Sequence, residues 1–114
     1  MNIYDTAHRL AAEIQNSDEC VRLRELRERA YADDTNRVLL DEYKRLQYRL
    51  QLKMAQGERM DEDDMGRLQK ISGHLQFNDD ASAFLLSEFR FQRIIADIYK
   101  ILADVSGINM DLLQ

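Results

Sequence analysis

Few side chains in this sequence could do chemistry. The nitrogen and sulfur ligands are His8, Cys20 and His74. A structural zinc takes four ligands at set spacings, and these three fit none of them. A di-iron bundle needs paired Glu-x-x-His motifs, and the chain offers only Asp5-x-x-His8, once. Asp61-Glu62-Asp63-Asp64-Met65-Gly66 invites a calcium-loop reading. It fails at the fifth position, Met65, and at the twelfth, where Ser72 stands in place of a bidentate glutamate. An acidic first turn of a helix, favoured by the helix dipole, accounts for it better. Cys20 follows a capping segment, but no base lies near it in sequence to make it a nucleophile. Gly-x-Gly and Gly-Lys-Ser/Thr loops are absent, so no nucleotide-binding loop can be argued. The sequence therefore gives no catalytic residue, no metal and no cofactor, and reads as a protein that is not an enzyme.

Charge offers two further features. Arg45, Arg49 and Lys53 form a basic row at four-residue spacing. It is a candidate docking surface for an acidic partner or for RNA phosphates, or else a solvated helix face. No aromatic residues are interleaved as stacking platforms, which speaks against nucleic acid. Glu88 falls in an apolar arc between Phe84, Phe91 and Ile95, where a carboxylate needs a partner or a path to solvent.

Composition says what must position these residues. Apolar residues make up 45% of the 114 and charged residues 32%, enough for one folded domain, 1–114, rather than a disordered tail. Proline is absent, where an average chain of this length carries roughly five or six. That suits long uninterrupted helices, because proline breaks their interiors. The net charge of −5 argues against a surface dedicated to duplex nucleic acid. A single cysteine, no signal-peptide pattern and no long apolar run predict a cytoplasmic protein with no membrane span.

Hydrophobic periodicity predicts five helices in an all-α fold. The first runs from about Ile3 to Gln15, with Ile3, Ala7, Leu10 and Ile14 in one stripe. Asn16 reads as the cap of the second, with Glu19 completing a capping box. That helix, about Asp18 to Ala32, carries Leu23, Leu26 and Ala30 on one side. Asp33 and Asp34 can cap a third, from about Thr35 to Gln56, whose seam is Leu39, Tyr43, Leu46, Leu50 and Met54. Gly57 stops it. After a short polar turn, Asp61 caps a fourth helix bearing Met65, Leu68, Ile71 and Leu75, so the third and fourth form an antiparallel hairpin. Gly73 lies inside it, at a cost of roughly 1 kcal/mol relative to alanine that either a close helix crossing explains or nothing does.

Asn78-Asp79-Asp80 opens a fifth helix that runs to about Ser106, with Gly107 as its stop. Phe91, Ile94, Ile95, Ile98, Tyr99, Ile101, Leu102 and Val105 cover roughly 160° of it at 100° per residue. One hairpin cannot cover so wide an arc. The expectation is a homodimer or larger assembly, with Phe84, Glu88, Phe91, Ile95, Ile98, Leu102 and Val105 as core and subunit interface.

The pattern resembles the bacterial YlbF/YmcA family, its YheA-type branch in particular. The likeness runs from about Asn2 to Gly107 and rests on Ile3-Tyr4-Asp5-x-Ala7-x-x-Leu10 and on Ser17 before the second helix. Its most specific piece is Leu46-Gln47-x-x-Leu50-Gln51-x-Lys53-Met54-x-x-Gly57-Glu58, followed by Glu88-x-Arg90 and Ile94-Ile95. The resemblance implies a small, self-associating all-α protein of low-GC Gram-positive bacteria. Such relatives regulate competence, sporulation and biofilm formation within a complex that works with ribonuclease Y in mRNA processing. It implies a non-enzymatic adaptor, whose partners are itself, other family members or a ribonuclease-Y-type complex. Some relatives contribute cysteines to an iron–sulfur cluster; this chain departs from them, having only Cys20.

Overall fold

The structure is a computed structural model, and it describes residues 2–107. Those residues form five α-helices: α1 (Ile3–Gln15), α2 (Asp18–Ala32), α3 (Asp34–Ala55), α4 (Glu62–Gln76) and α5 (Asp79–Ser106). Two compact units share them. Of the described residues, one comprises 2–23 and 85–107, the other Arg24–Phe84.

Each boundary has a local cause. Asn2 Oδ1 accepts from the Asp5 N–H at 3.0 Å and opens α1. Asn16 does not cap α2 as its sequence position suggested. It belongs to the end of α1, where its backbone N–H bonds Ala12 and Ile14. Ser17, the second of the two residues between the helices, serves both ends: its hydroxyl donates to the Ile14 carbonyl at 2.6 Å and accepts from the Cys20 N–H at 3.2 Å. Asp33 Oδ1 accepts from the Asn36 N–H at 2.9 Å and caps α3. Gly57 and Gly107 end α3 and α5 at φ of +73° and +69°, a conformation that glycine adopts without a Cβ penalty. Asp61 holds the cap position of α4, but its side chain makes no capping bond there. The dipole argument for the acidic first turn of α4 stands without it.

The unit Arg24–Phe84 holds most of the buried side chains. Leu26 and Ala30 of α2, Leu40 and Leu46 of α3, Ile71 and Leu75 of α4, and Ala81 and Phe84 of α5 are all buried. The α3–α4 hairpin forms as expected. The buried side of α3 is wider than its expected seam: Leu40 is fully buried, whereas Met54 is 68% exposed. Phe84 sits where α2, α3 and α5 meet. Tyr31 presents its edge to the Phe84 ring at 5.7 Å between centroids. The Arg27 guanidinium and the Lys44 ammonium lie 5.7 and 5.3 Å from the same ring centre, within cation–π range.

An amide pair, with Asn36 buried and Asn78 half-buried, ties α3 to the start of α5. Asn36 is 6% exposed, and its Nδ2 donates to Asn78 Oδ1 at 3.0 Å. The same oxygen accepts from the Ala81 N–H at 2.9 Å, so Asn78 caps α5 while satisfying Asn36. A buried amide without such a partner would be destabilising.

Gly73 has no close crossing to explain it. A Cβ built there meets no heavy atom within 4 Å. Replacing Gly73 with alanine is therefore expected to stabilise the chain by about 1 kcal/mol, through helix propensity and a less flexible unfolded state. Urea unfolding checks it; a destabilised variant would mean that the helix needs the glycine.

Candidate interaction surface

The residues whose types suggested chemistry are not gathered into a site. His8 is exposed on α1, Cys20 half-buried on α2, and His74 exposed on α4. Among the described residues no three His, Cys, Asp or Glu side chains cluster as a metal ion would require. Asp64, from the acidic run of α4, instead faces a cation of α3.

That cation belongs to the basic row. Arg49 pairs with Asp64 at 3.4 Å, and Lys53 with Glu58 at 3.7 Å. Both are partly exposed pairs across the end of the hairpin and contribute little stability in water. Their effect is to offset the charge of two of the three row members, leaving Arg45 exposed on its own helix face. The row is thus a weaker anion-docking surface than its spacing suggested.

A better-formed pair lies one turn away. Arg67 donates from Nε and one terminal nitrogen to the two carboxylate oxygens of Glu42, at 2.8 and 2.9 Å. The Arg67 hydrogen bonds, aided by its charge and that of Arg45, hold the Glu42 carboxyl below the ordinary glutamate range. A depressed carboxylate contributes stability above its unfolded pKa and loses it as pH falls through the folded value. The Arg67→Met variant should bring Glu42 back up toward the ordinary value. Carboxyl-carbon NMR titration reads this directly, and an unmoved Glu42 would remove Arg67 as the cause.

The apolar residues are the larger feature. Of the predicted interface set, Phe84 is fully buried inside its own unit and has no surface left for another chain. Glu88, Phe91, Ile95 and Ile98 are half-buried, while Leu102 and Val105 are exposed by 49% and 83%. Leu86, Phe89, Tyr99 and Ile101 are exposed as well. Beyond Phe84, no residue of α5 is buried, and α1 has none buried either. Its Ile3 and Tyr4 stand open. Singly exposed apolar residues are normal; here Leu102 and Val105 continue the stripe of Phe91, Ile95 and Ile98, while Leu86 and Phe89 lie on the other side of the helix.

Two features were not read from the sequence. An open groove of about 540 Å³ lies at the turn of the hairpin, lined by Leu50, Met54, Met60 and Met65 among others. Its lining comes from both sides of a turn, which a helix-by-helix projection does not assemble. The other is an outward strip on α3. Val38, Tyr48 and Leu52 are exposed by 59%, 62% and 44%, with exposed Asp41 and Arg45 between them. Its three- and four-residue spacing was present in the sequence, hidden behind the more apolar opposite seam.

Known proteins match this chain along nearly its whole length. The family model described as "Control of competence regulator ComK, YlbF/YmcA" matches residues 3–105. A "UPF0342 protein" of Halothermothrix orenii is 31% identical over 102 residues, 90% of this chain and 86% of that one. Another, of Caldicellulosiruptor bescii, is 32% identical over 103 residues, 90% of this chain and 87% of its own. A solved structure titled "Protein of Unknown Function (DUF964) from Bacillus stearothermophilus" superposes with a TM-score of 0.75 over 90% of each chain. At 22% identity it supports the all-α fold alone. With five helices in place and the family pattern spanning residues 3–105, the chain belongs to the YlbF/YmcA family.

Proposed function

We propose that this chain is a non-enzymatic, self-associating helical adaptor that regulates through protein–protein contacts. The observation that carries the reading is the incompletely covered apolar face of α5, from half-buried Phe91 to exposed Val105. A second copy is the proposed cover, with Phe91, Ile95, Ile98, Leu102 and Val105 at the contact and Glu88 at its margin. Membership of a family described by regulation of competence, rather than by a reaction, supports a regulatory role. The partners are other family members or a ribonuclease-Y-type complex, as in the better-studied relatives. The 114 residues act as one domain, since α2 and α5 each run without a break from one unit into the other.

Capture of the tagged protein from its own cells, with mass spectrometry of what co-purifies, tests the regulatory reading. Recovery of a ribonuclease-Y-type nuclease or a family relative in near-equal amount is the expected result. Recovery of the chain alone would remove the partner assignment and leave self-association to be judged separately.

A further inference from the structure

The outward strip of α3 has a symmetry that an ordinary solvated face does not need. Val38, Asp41, Arg45, Tyr48 and Leu52 follow one another at spacings of three, four, three and four, the seam pattern of a coiled coil. At 100° per residue they fall within about 80° of one another, on the side of α3 opposite buried Asn36. All five are exposed. The flanking Glu42 and Lys44 are drawn toward their own chain, the first by Arg67 and the second by the Phe84 ring.

We propose that this strip is a second self-association surface, on which α3 of another copy lies antiparallel. The register follows from the residues. A two-fold axis beside position 43 sets Asp41 against the partner's Arg45, and Arg45 against the partner's Asp41. The same operation sets Val38 against the partner's Tyr48, and Tyr48 against the partner's Val38. The four central residues then meet in reciprocal pairs, charge against opposite charge and apolar against apolar, as an isologous contact requires, while Leu52 lies beyond them across from the partner's Asp34. A different partner has no reason to satisfy this reciprocal pattern, and that selects a second copy. The strip spans about 21 Å of helix, so it is a weak contact by itself. It joins copies already held through α5, and in that respect rests on the function proposed above.

Sedimentation equilibrium over a range of concentrations tests the strip with Asp41→Arg, Arg45→Asp and the double substitution. The unmodified chain is expected to pass from twice to four times its 13.4 kDa mass as concentration rises. Each single reversal should weaken that second step at least tenfold, by setting like charges face to face, and the double should restore it to within about twofold. Single reversals without effect, or a double no better than the singles, would overturn the proposal and leave the α5 contact untouched. A chain monomeric at every concentration would instead remove the α5 contact, and this proposal with it. Register has its own readout, in a Cys20→Ser background oxidised with oxidised glutathione. A chain with both Val38→Cys and Tyr48→Cys should close into a covalent dimer, while neither single cysteine should. Any other cross-linking pattern contradicts the antiparallel register.

Discussion

Replacing Phe84 with alanine is expected to lower the stability of the folded chain by about 3–5 kcal/mol, the range for removing a fully buried aromatic ring. Phe84 is completely enclosed and is where three helices meet through side chains. Its loss removes the ring that Tyr31 meets edge-on and that Arg27 and Lys44 approach as cations. It also opens a void in the interior unless the surrounding side chains collapse into the space. Urea unfolding should show a lower midpoint with an unchanged slope, the signature of lost stability rather than a changed denatured state. Phe84→Leu, which refills most of the volume, should lose considerably less. A loss below about 1 kcal/mol for the alanine variant would mean that the ring is not part of the core.

The second large effect concerns association. Ile98 is half-buried and Val105 is 83% exposed on the same helix. An aspartate at either position would set an unpaired carboxylate in an apolar contact, at roughly 2 kcal/mol or more per copy. Two-fold symmetry counts that twice, so the dissociation constant should rise about a thousandfold. Ile98→Asp also risks the fold, because its side chain is partly enclosed. Val105→Asp does not, since so little of Val105 touches its own chain. Helix content and melting of the separated Val105→Asp chain should stay as they were while association weakens. If both variants associate like the parent, the face of α5 is not the subunit contact.

Most of the secondary structure was legible because its signals are local. Gly57 and Gly107 marked helix ends by backbone freedom, and Asp33 and Asn78 marked helix starts by side-chain acceptors. Periodicity also found Leu23, Leu26, Ala30, Ile71 and Leu75, all of which are buried. It did less well where several helices converge. Leu40 lies outside a narrow seam but is buried, because the buried arc of α3 is wider than that seam. Asn36 is polar and buried, and only the cap of a helix 42 residues further on explains why that is tolerable. Ser17 was passed over as a cap in favour of Asn16, since spacing does not tell which of two adjacent polar residues ends one helix and which begins the next.

The interaction surface was half legible for a different reason. A hydrophobic arc names the face that must leave water, not what covers it. For α5 the arc predicted both core and interface; the structure buries Phe84 and leaves Leu102 and Val105 open. For α3 the basic row was visible, but not the acidic residues that reach Arg49 and Lys53 across the hairpin. Folding the chain back on itself pairs Arg49 and Lys53 and so sets Arg45 apart from its row, while the helix period alone puts Arg45 in the strip with Asp41, Val38 and Tyr48.

The central claim is that the face of α5 is covered by a second copy, and the solution mass of the unmodified protein tests it most directly. Analytical ultracentrifugation from low to high micromolar concentration should return at least twice the 13.4 kDa mass of one chain. A single species of 13.4 kDa across that range would contradict the account.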